Sequence, residues 1–125
     1  MMIYFSSMTG NVRRFVKKTG LPVKEIMPGT IAEEPYILIT YTFGFGEVPT
    51  PIREFLNSNG HLLRGVAVSG NRNWGANFGM AGDLIAEEFE VPLLHKFELS
   101  GTAQDIEQFK REVELLCVTF SLITK

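Results

Sequence analysis

Apolar runs alternate with amphipathic segments along this chain, in a regular order. Met2-Ile3-Tyr4-Phe5 reads as a first strand, and Val12, Phe15 and Val16 mark one face of a helix that Gly20 and Pro22 end. Residues 23–27 form a weaker second strand. Tyr36-Ile37-Leu38-Ile39-Thr40-Tyr41 is apolar on both faces, as a central parallel strand should be. Thr50 is then the expected cap of a helix with Pro51 at its first position, Ile52, Phe55 and Leu56 on its apolar face and Gly60 as its stop. Residues 63–69 form another strand, Phe78, Ala81, Ile85 and Phe89 share a helical face, and residues 91–97 are the last strand, with Pro92 near its start. Thr102 is the expected cap of a final helix faced by Ile106, Phe109, Val113 and Leu116. The apolar tail, residues 118–123, either extends that helix or packs along the sheet; the pattern leaves both open.

Five strands alternating with helices predict an α/β fold, a doubly wound five-stranded parallel sheet with helices on both faces. At 125 residues the chain is expected to form one domain. A net charge of -2 and the lack of a basic stripe argue against nucleic acid as a partner. Arg13, Arg14, Lys17 and Lys18 read as a solvated helix face, as do the pairs Glu33-Glu34 and Glu87-Glu88. The single cysteine, Cys117, rules out an intramolecular disulfide and reads as a buried thiol. No apolar run reaches membrane-span length and no signal peptide is evident, so the expectation is a soluble, cytoplasmic protein with no membrane partner. His61 and His95 lack metal-ligand neighbours in sequence.

Ligands of such sheets bind beyond the carboxyl ends of the strands. The three loops richest in Gly, Asn, Ser and Thr all follow strands and should converge there. The first, Ser6-Ser7-Met8-Thr9-Gly10-Asn11-Val12, opens a helix. Free amides and the helix dipole favour an anion at that end, and Ser6, Ser7, Thr9 and Asn11 add side-chain donors. The loop has no Lys or Arg, and it is neither a dinucleotide fingerprint nor a Walker loop. Its place directly after the first strand suits a monophosphate held by neutral dipoles; the alternative is an ordinary capped turn.

The second loop contains Thr42-Phe43-Gly44-Phe45-Gly46-Glu47, with glycines that let the backbone approach a ligand or turn a peptide over. The third, Ser69-Gly70-Asn71-Arg72-Asn73-Trp74-Gly75, holds the only tryptophan, which suits stacking on a planar ring, the alternative being local packing. Phosphate loop, glycines and stacking aromatic together describe a mononucleotide with a large flat ring, and FMN fits best. A peptide between Gly44 and Phe45 that rotates its carbonyl would supply an acceptor for the proton that flavin N5 gains on reduction. These loops carry only Glu47 and Arg72 as charges, so reduced flavin should meet little electrostatic opposition.

Ser7-Met8-Thr9-Gly10-Asn11-Val12 resembles the flavodoxin phosphate loop. The stretches from Ile39 to Gly46, Val48-Pro49, Ser69 to Gly75 and Lys96-Phe97-Glu98-Leu99-Ser100-Gly101-Thr102 narrow the match: the chain resembles the NrdI family over about residues 4–113. The resemblance implies a flavodoxin-like fold and non-covalent FMN. It implies an accessory activator of class Ib ribonucleotide reductase rather than an independent metabolic enzyme. In that role a reducing partner reduces the flavin, oxygen takes its electrons, and the resulting superoxide passes to the reductase small subunit to oxidise a dimanganese centre and generate a tyrosyl radical. Carried over by position, Ser6 to Val12 would hold the phosphate and Thr42, Phe43, Gly44, Phe45 and Gly46 would line the flavin. Asn71, Asn73, Trp74 and Gly75 would cover its other side, with Leu99 and Gly101 at the remaining edge. Tyr4-Phe5-Ser6 departs from the family's usual residues before the phosphate loop, and the apolar tail is longer than the family needs. A plain flavodoxin passing single electrons, and a flavin-free module binding a phosphorylated ligand, are the alternatives.

Overall fold

The computed structural model describes residues 1–124. Strand β3 (Tyr36–Thr40) is wholly buried and lies at the centre of a parallel sheet. Around it are β1 (Met2–Phe5), β2 (Val23–Glu25), β4 (Leu63–Gly70) and β5 (Leu93–Glu98), in the order β2-β1-β3-β4-β5. Side chains alternate across the pleat and so divide the core in two. Ile3, Phe5, Ile37 and Ile39, with Phe97 of β5, face α1 (Asn11–Thr19) and α4 (Ala103–Thr124) through Val12, Phe15, Ile106 and Phe109. Tyr4, Tyr36, Leu38 and Val66 face α2 (Thr50–Asn59) and α3 (Met80–Phe89) through Ile52, Phe55, Leu56 and Ile85. The sheet is doubly wound, and its order reverses between β1 and β3, which brings the loops after those strands side by side.

The element ends differ from expectation in ways that have local causes. Helix α2 is capped by Pro49, not Thr50; Pro49 is extended (φ -60°, ψ 143°) and its carbonyl accepts from the Arg53 amide at 2.9 Å, so Thr50 already lies in the first turn. Gly60 does end α2, as its C-cap, but it stays right-handed (φ -61°, ψ -27°) and leads into a short 3-10 turn, Gly60–Leu62. A side chain there would collide with the Phe89 ring. Strand β2 spans three residues because only Val23 of it is even half-buried. Strand β5 begins after Pro92, which has no amide to donate, although its carbonyl still accepts from Val66 at 3.1 Å. Phe78 falls before α3 rather than on its face, and carries the Arg72 guanidinium 4.6 Å from its ring centre.

Helix α4 opens with the expected Thr102, in a reciprocal cap: the Asp105 amide donates to Thr102 Oγ1 at 3.2 Å and the Thr102 amide to Asp105 Oδ2 at 2.8 Å. The apolar tail extends this helix, with Leu115, Val118, Leu122 and Ile123 exposed. Cys117 lies on that overhang and is half-buried, not buried. No helix among the described residues is long and apolar enough to cross a membrane.

Candidate functional site

The loops after β1, β3, β4 and β5 meet at the carboxyl edge of the sheet and enclose a cleft of about 160 Å³. This is below the roughly 300–1,000 Å³ typical of an enclosing pocket, so the site is a shallow cleft. Ser7, Met8, Thr9, Asn11 and Val12 line one end. Tyr41, Thr42 and Gly44 come from the second loop; Ser69, Gly70, Asn71, Trp74, Asn77 and Gly79 from the third; Leu99 from the fourth. None of these lining residues carries a charged side chain.

At the first loop, Gly10 precedes α1 in the left-handed region (φ 91°), a turn that a glycine makes without strain. The turn lets Ser7 Oγ accept from the amides of Gly10 at 3.2 Å and Arg13 at 3.3 Å. Asn11 and Val12 open the helix, where amides have no carbonyl of the preceding turn to meet. The basic face of α1 is more than solvated. Arg13 pairs with Glu25, Arg14 donates to Ser100 and Asn11, and Lys18 reaches the carbonyls of Ser100 and Gly101.

The second loop doubles back tightly. The Phe43 amide donates to the Glu47 carbonyl at 2.9 Å and Glu47 returns the bond at 2.7 Å, with Gly44 (φ 55°) and Gly46 (φ 125°) between them. Asn77 Nδ2 donates to the Phe45 carbonyl at 2.7 Å and so ties the second loop to the third. In the third loop Asn71 Oδ1 accepts from the Asn73 amide at 2.9 Å and caps a short 3-10 segment, Arg72–Asn77, which kinks at Gly75. Trp74 and Phe45 stand together at the rim, ring centres 5.2 Å apart and tilted 40°.

Three strand ends are clipped below the cleft. Thr42 Oγ1 donates to the Ser69 carbonyl at 3.0 Å and Ser69 Oγ to the Leu99 carbonyl at 2.6 Å. Leu99 is held in the left-handed region (φ 53°), unusual for a non-glycine residue and a form of strain that collects at binding sites. Burial raises the Tyr41 phenol above its ordinary value, so it stays protonated and can donate.

Of the residues expected from sequence, Ser7, Met8, Thr9, Asn11, Val12, Thr42, Gly44, Asn71, Trp74 and Leu99 line the cleft. Gly10, Phe43, Phe45, Gly46, Asn73 and Gly75 belong to the surrounding loops without lining it, Gly101 faces the Phe15 ring instead, and Ser6 is buried beside a separate hollow that includes residues 26–31. Tyr41, Ser69, Gly70, Asn77 and Gly79 line it without having been singled out. Tyr41 is part of an apolar strand pattern, and the others lie in a segment whose sequence signals are Asn71, Asn73, Trp74 and Gly75. Gly70 had a detectable reason: a side chain there would lie 2.6 Å from the Gly79 amide nitrogen, so the β4 end can approach α3 only as glycine.

Comparison with known proteins agrees with this architecture. A short-chain flavodoxin associated with a non-canonical PDU bacterial microcompartment superposes with a TM-score of 0.68 at 22% identity, covering 94% of this chain and 96% of that one. A cysteine-to-alanine variant of flavodoxin from Pseudomonas aeruginosa gives 0.52 at 17% identity, covering 94% and 97%. Both likenesses concern the fold. In sequence, the chain is 54% identical to Protein NrdI of Bacillus licheniformis over 113 residues, 90% of this chain and 86% of that protein. The family model described as NrdI Flavodoxin like matches residues 3–111, and the chain belongs to that family.

Proposed function

We propose that the cleft binds FMN and that the protein serves as the flavin-bearing activator of a class Ib ribonucleotide reductase. The observation that carries the reading is the convergence of an uncharged phosphate-type loop and an exposed aromatic pair on one open cleft. The donor set suits a phosphate: the first amides of α1, the hydroxyls of Ser7 and Thr9, and no lining carboxylate to repel it. Trp74 and the backbone about Gly44 would hold the flat ring, and Leu99 its remaining edge. FMN held by these residues would, once reduced by a partner protein, supply one electron to oxygen, and the superoxide would be the oxidant for the dimanganese centre of the reductase small subunit.

The chain's own part is to bind, orient and expose. An uncharged lining leaves a reduced ring's negative charge without a nearby carboxylate against it. The open rim admits oxygen. Phe43 and Phe45, 47% and 79% exposed, would give the small subunit an apolar surface that seals the rim on docking.

The test is twofold. Purified protein should show flavin absorbance or take up FMN, and a manganese-loaded small subunit should gain its tyrosyl radical signal, in air and with a reductant, only when this protein is present. A radical that forms equally well without it defeats the activator reading and leaves the plain electron carrier.

A further inference from the structure

Arg14 and Ser100 lie 86 positions apart and meet beside the first loop. Arg14 can only donate, and it does so twice: Nε to Ser100 Oγ at 2.9 Å and Nη2 to Asn11 Oδ1 at 2.6 Å. Ser100 Oγ, already accepting from Arg14, passes its own proton to Asn11 Oδ1 at 2.8 Å. Two donors on one oxygen fix which way the Asn11 amide faces. Its Nδ2 must then point away, and it donates to Thr9 Oγ1 at 3.3 Å. Thr9 is thereby an acceptor on this side, and its single proton is directed elsewhere, while the residue itself lines the cleft. Gly10 belongs to the same arrangement, because a side chain there would lie 2.8 Å from Arg14 Nη1.

We propose that Arg14 and Ser100 are positioning residues that set the direction of this relay, so that the Thr9 hydroxyl donates to the phosphate of bound FMN. The polarity starts from a group that cannot accept, so every later member has one choice. The proposal rests on the FMN reading above. It also gives the exposed guanidinium a role other than charge, since it acts through two bonds at a fixed angle rather than through proximity to the phosphate.

The experiment measures the affinity of the apoprotein for FMN and for riboflavin, which lacks the phosphate, in the wild type and in Arg14→Met, Arg14→Lys, Ser100→Ala and Thr9→Val. Arg14→Met and Thr9→Val should each weaken FMN binding by about tenfold or more, the scale of one hydrogen bond to a charged acceptor, and leave riboflavin unchanged. Arg14→Lys should stay weak, because one ammonium does not hold both partners in the fork geometry. Ser100→Ala should show a smaller loss of the same selectivity. In the Thr9→Val background, Arg14→Met should add nothing. Losses that multiply in the double variant, equal losses for riboflavin, or full affinity in Arg14→Lys overturn the relay. So does unchanged FMN affinity in Arg14→Met, with the FMN reading intact. A wild-type protein that takes up no FMN overturns both.

Discussion

Two aromatic pairs do opposite work in this molecule. Phe15 and Phe97 are fully buried, with rings 3.8 Å apart and 7° from parallel. Phe45 and Trp74 sit at the cleft rim, 79% and 38% exposed, 5.2 Å apart and tilted 40°. The first pair joins α1 to β5 inside the core that also holds Ile3 and Phe109. A near-eclipsed stack is not what ring electrostatics prefer, so packing from both sides must impose it. The second pair has no such enclosure and leaves apolar surface in water, which costs stability unless something covers it. One pair is explained by folding alone; the other is not, and that difference is what the proposed docking rim would account for.

Truncation should separate the two most sharply. Phe15→Ala is expected to cost about 3–5 kcal/mol, as large buried aromatics do, whereas Phe45→Ala should stay within about 0.5 kcal/mol. Urea unfolding of the two variants beside the wild type measures both. Similar losses would mean that the rim pair is structural after all.

Gly101 tests how close the two regions come. It is left-handed (φ 74°), and a side chain on it would sit 2.8 Å from Phe15 Cδ1, yet it is two residues from Leu99 at the cleft. Gly101→Ala should therefore destabilise by about 1–3 kcal/mol, through strain and overpacking together. A stability within experimental error of the wild type would show that the segment moves freely off the buried pair.

Legibility in the sequence follows the same division. The core was readable because Tyr36 to Thr40 is buried throughout and strand alternation assigns Ile37 and Ile39 to one face and Leu38 to the other. The phosphate-type loop and Trp74 were readable because each carries a local chemical oddity. Tyr41 and Ser69 were not, since at a strand end the same residue types serve a sheet or a site. Arg14 read as a solvated charge because its partner is 86 positions away and only the fold brings it near. The tail could not be decided from its pattern: an exposed stripe of Leu115, Val118 and Leu122 on a helix looks, in sequence, like a buried one.

Trp74→Ala measures the rim pair directly. It should weaken FMN binding by about 1 kcal/mol, roughly fivefold in Kd, and shift the bound flavin's absorbance, while urea unfolding of the apoprotein barely changes. An unchanged Kd and spectrum would reduce Trp74 to a neighbour of Phe45, and the contrast between the pairs would lose its functional half.

The smallest effect concerns Asp105, on the boundary between the regions. His95 Nε2 lies 2.8 Å from Asp105 Oδ1, and Asp105 Cβ is 3.5 Å from where a Gly101 side chain would begin. Burial pushes the Asp105 carboxyl up, but hydrogen bonds from His95 and Thr102, with the His95 charge, together hold it below its ordinary 3.8. A carboxylate lowered on folding stabilises the folded state fully above its unfolded value and loses that contribution as pH falls through the folded one. Asp105→Asn should thus cost about 0.5–1 kcal/mol near pH 5, the scale of a charged helix cap, and the gap to wild type should close progressively below pH 3.8. FMN affinity at pH 5 should be the same in both proteins, because Asp105 supports the core side of the segment and Leu99 the cleft side. If affinity falls together with stability, the strand end transmits core loosening to the rim, and the two aromatic regions are coupled rather than separate.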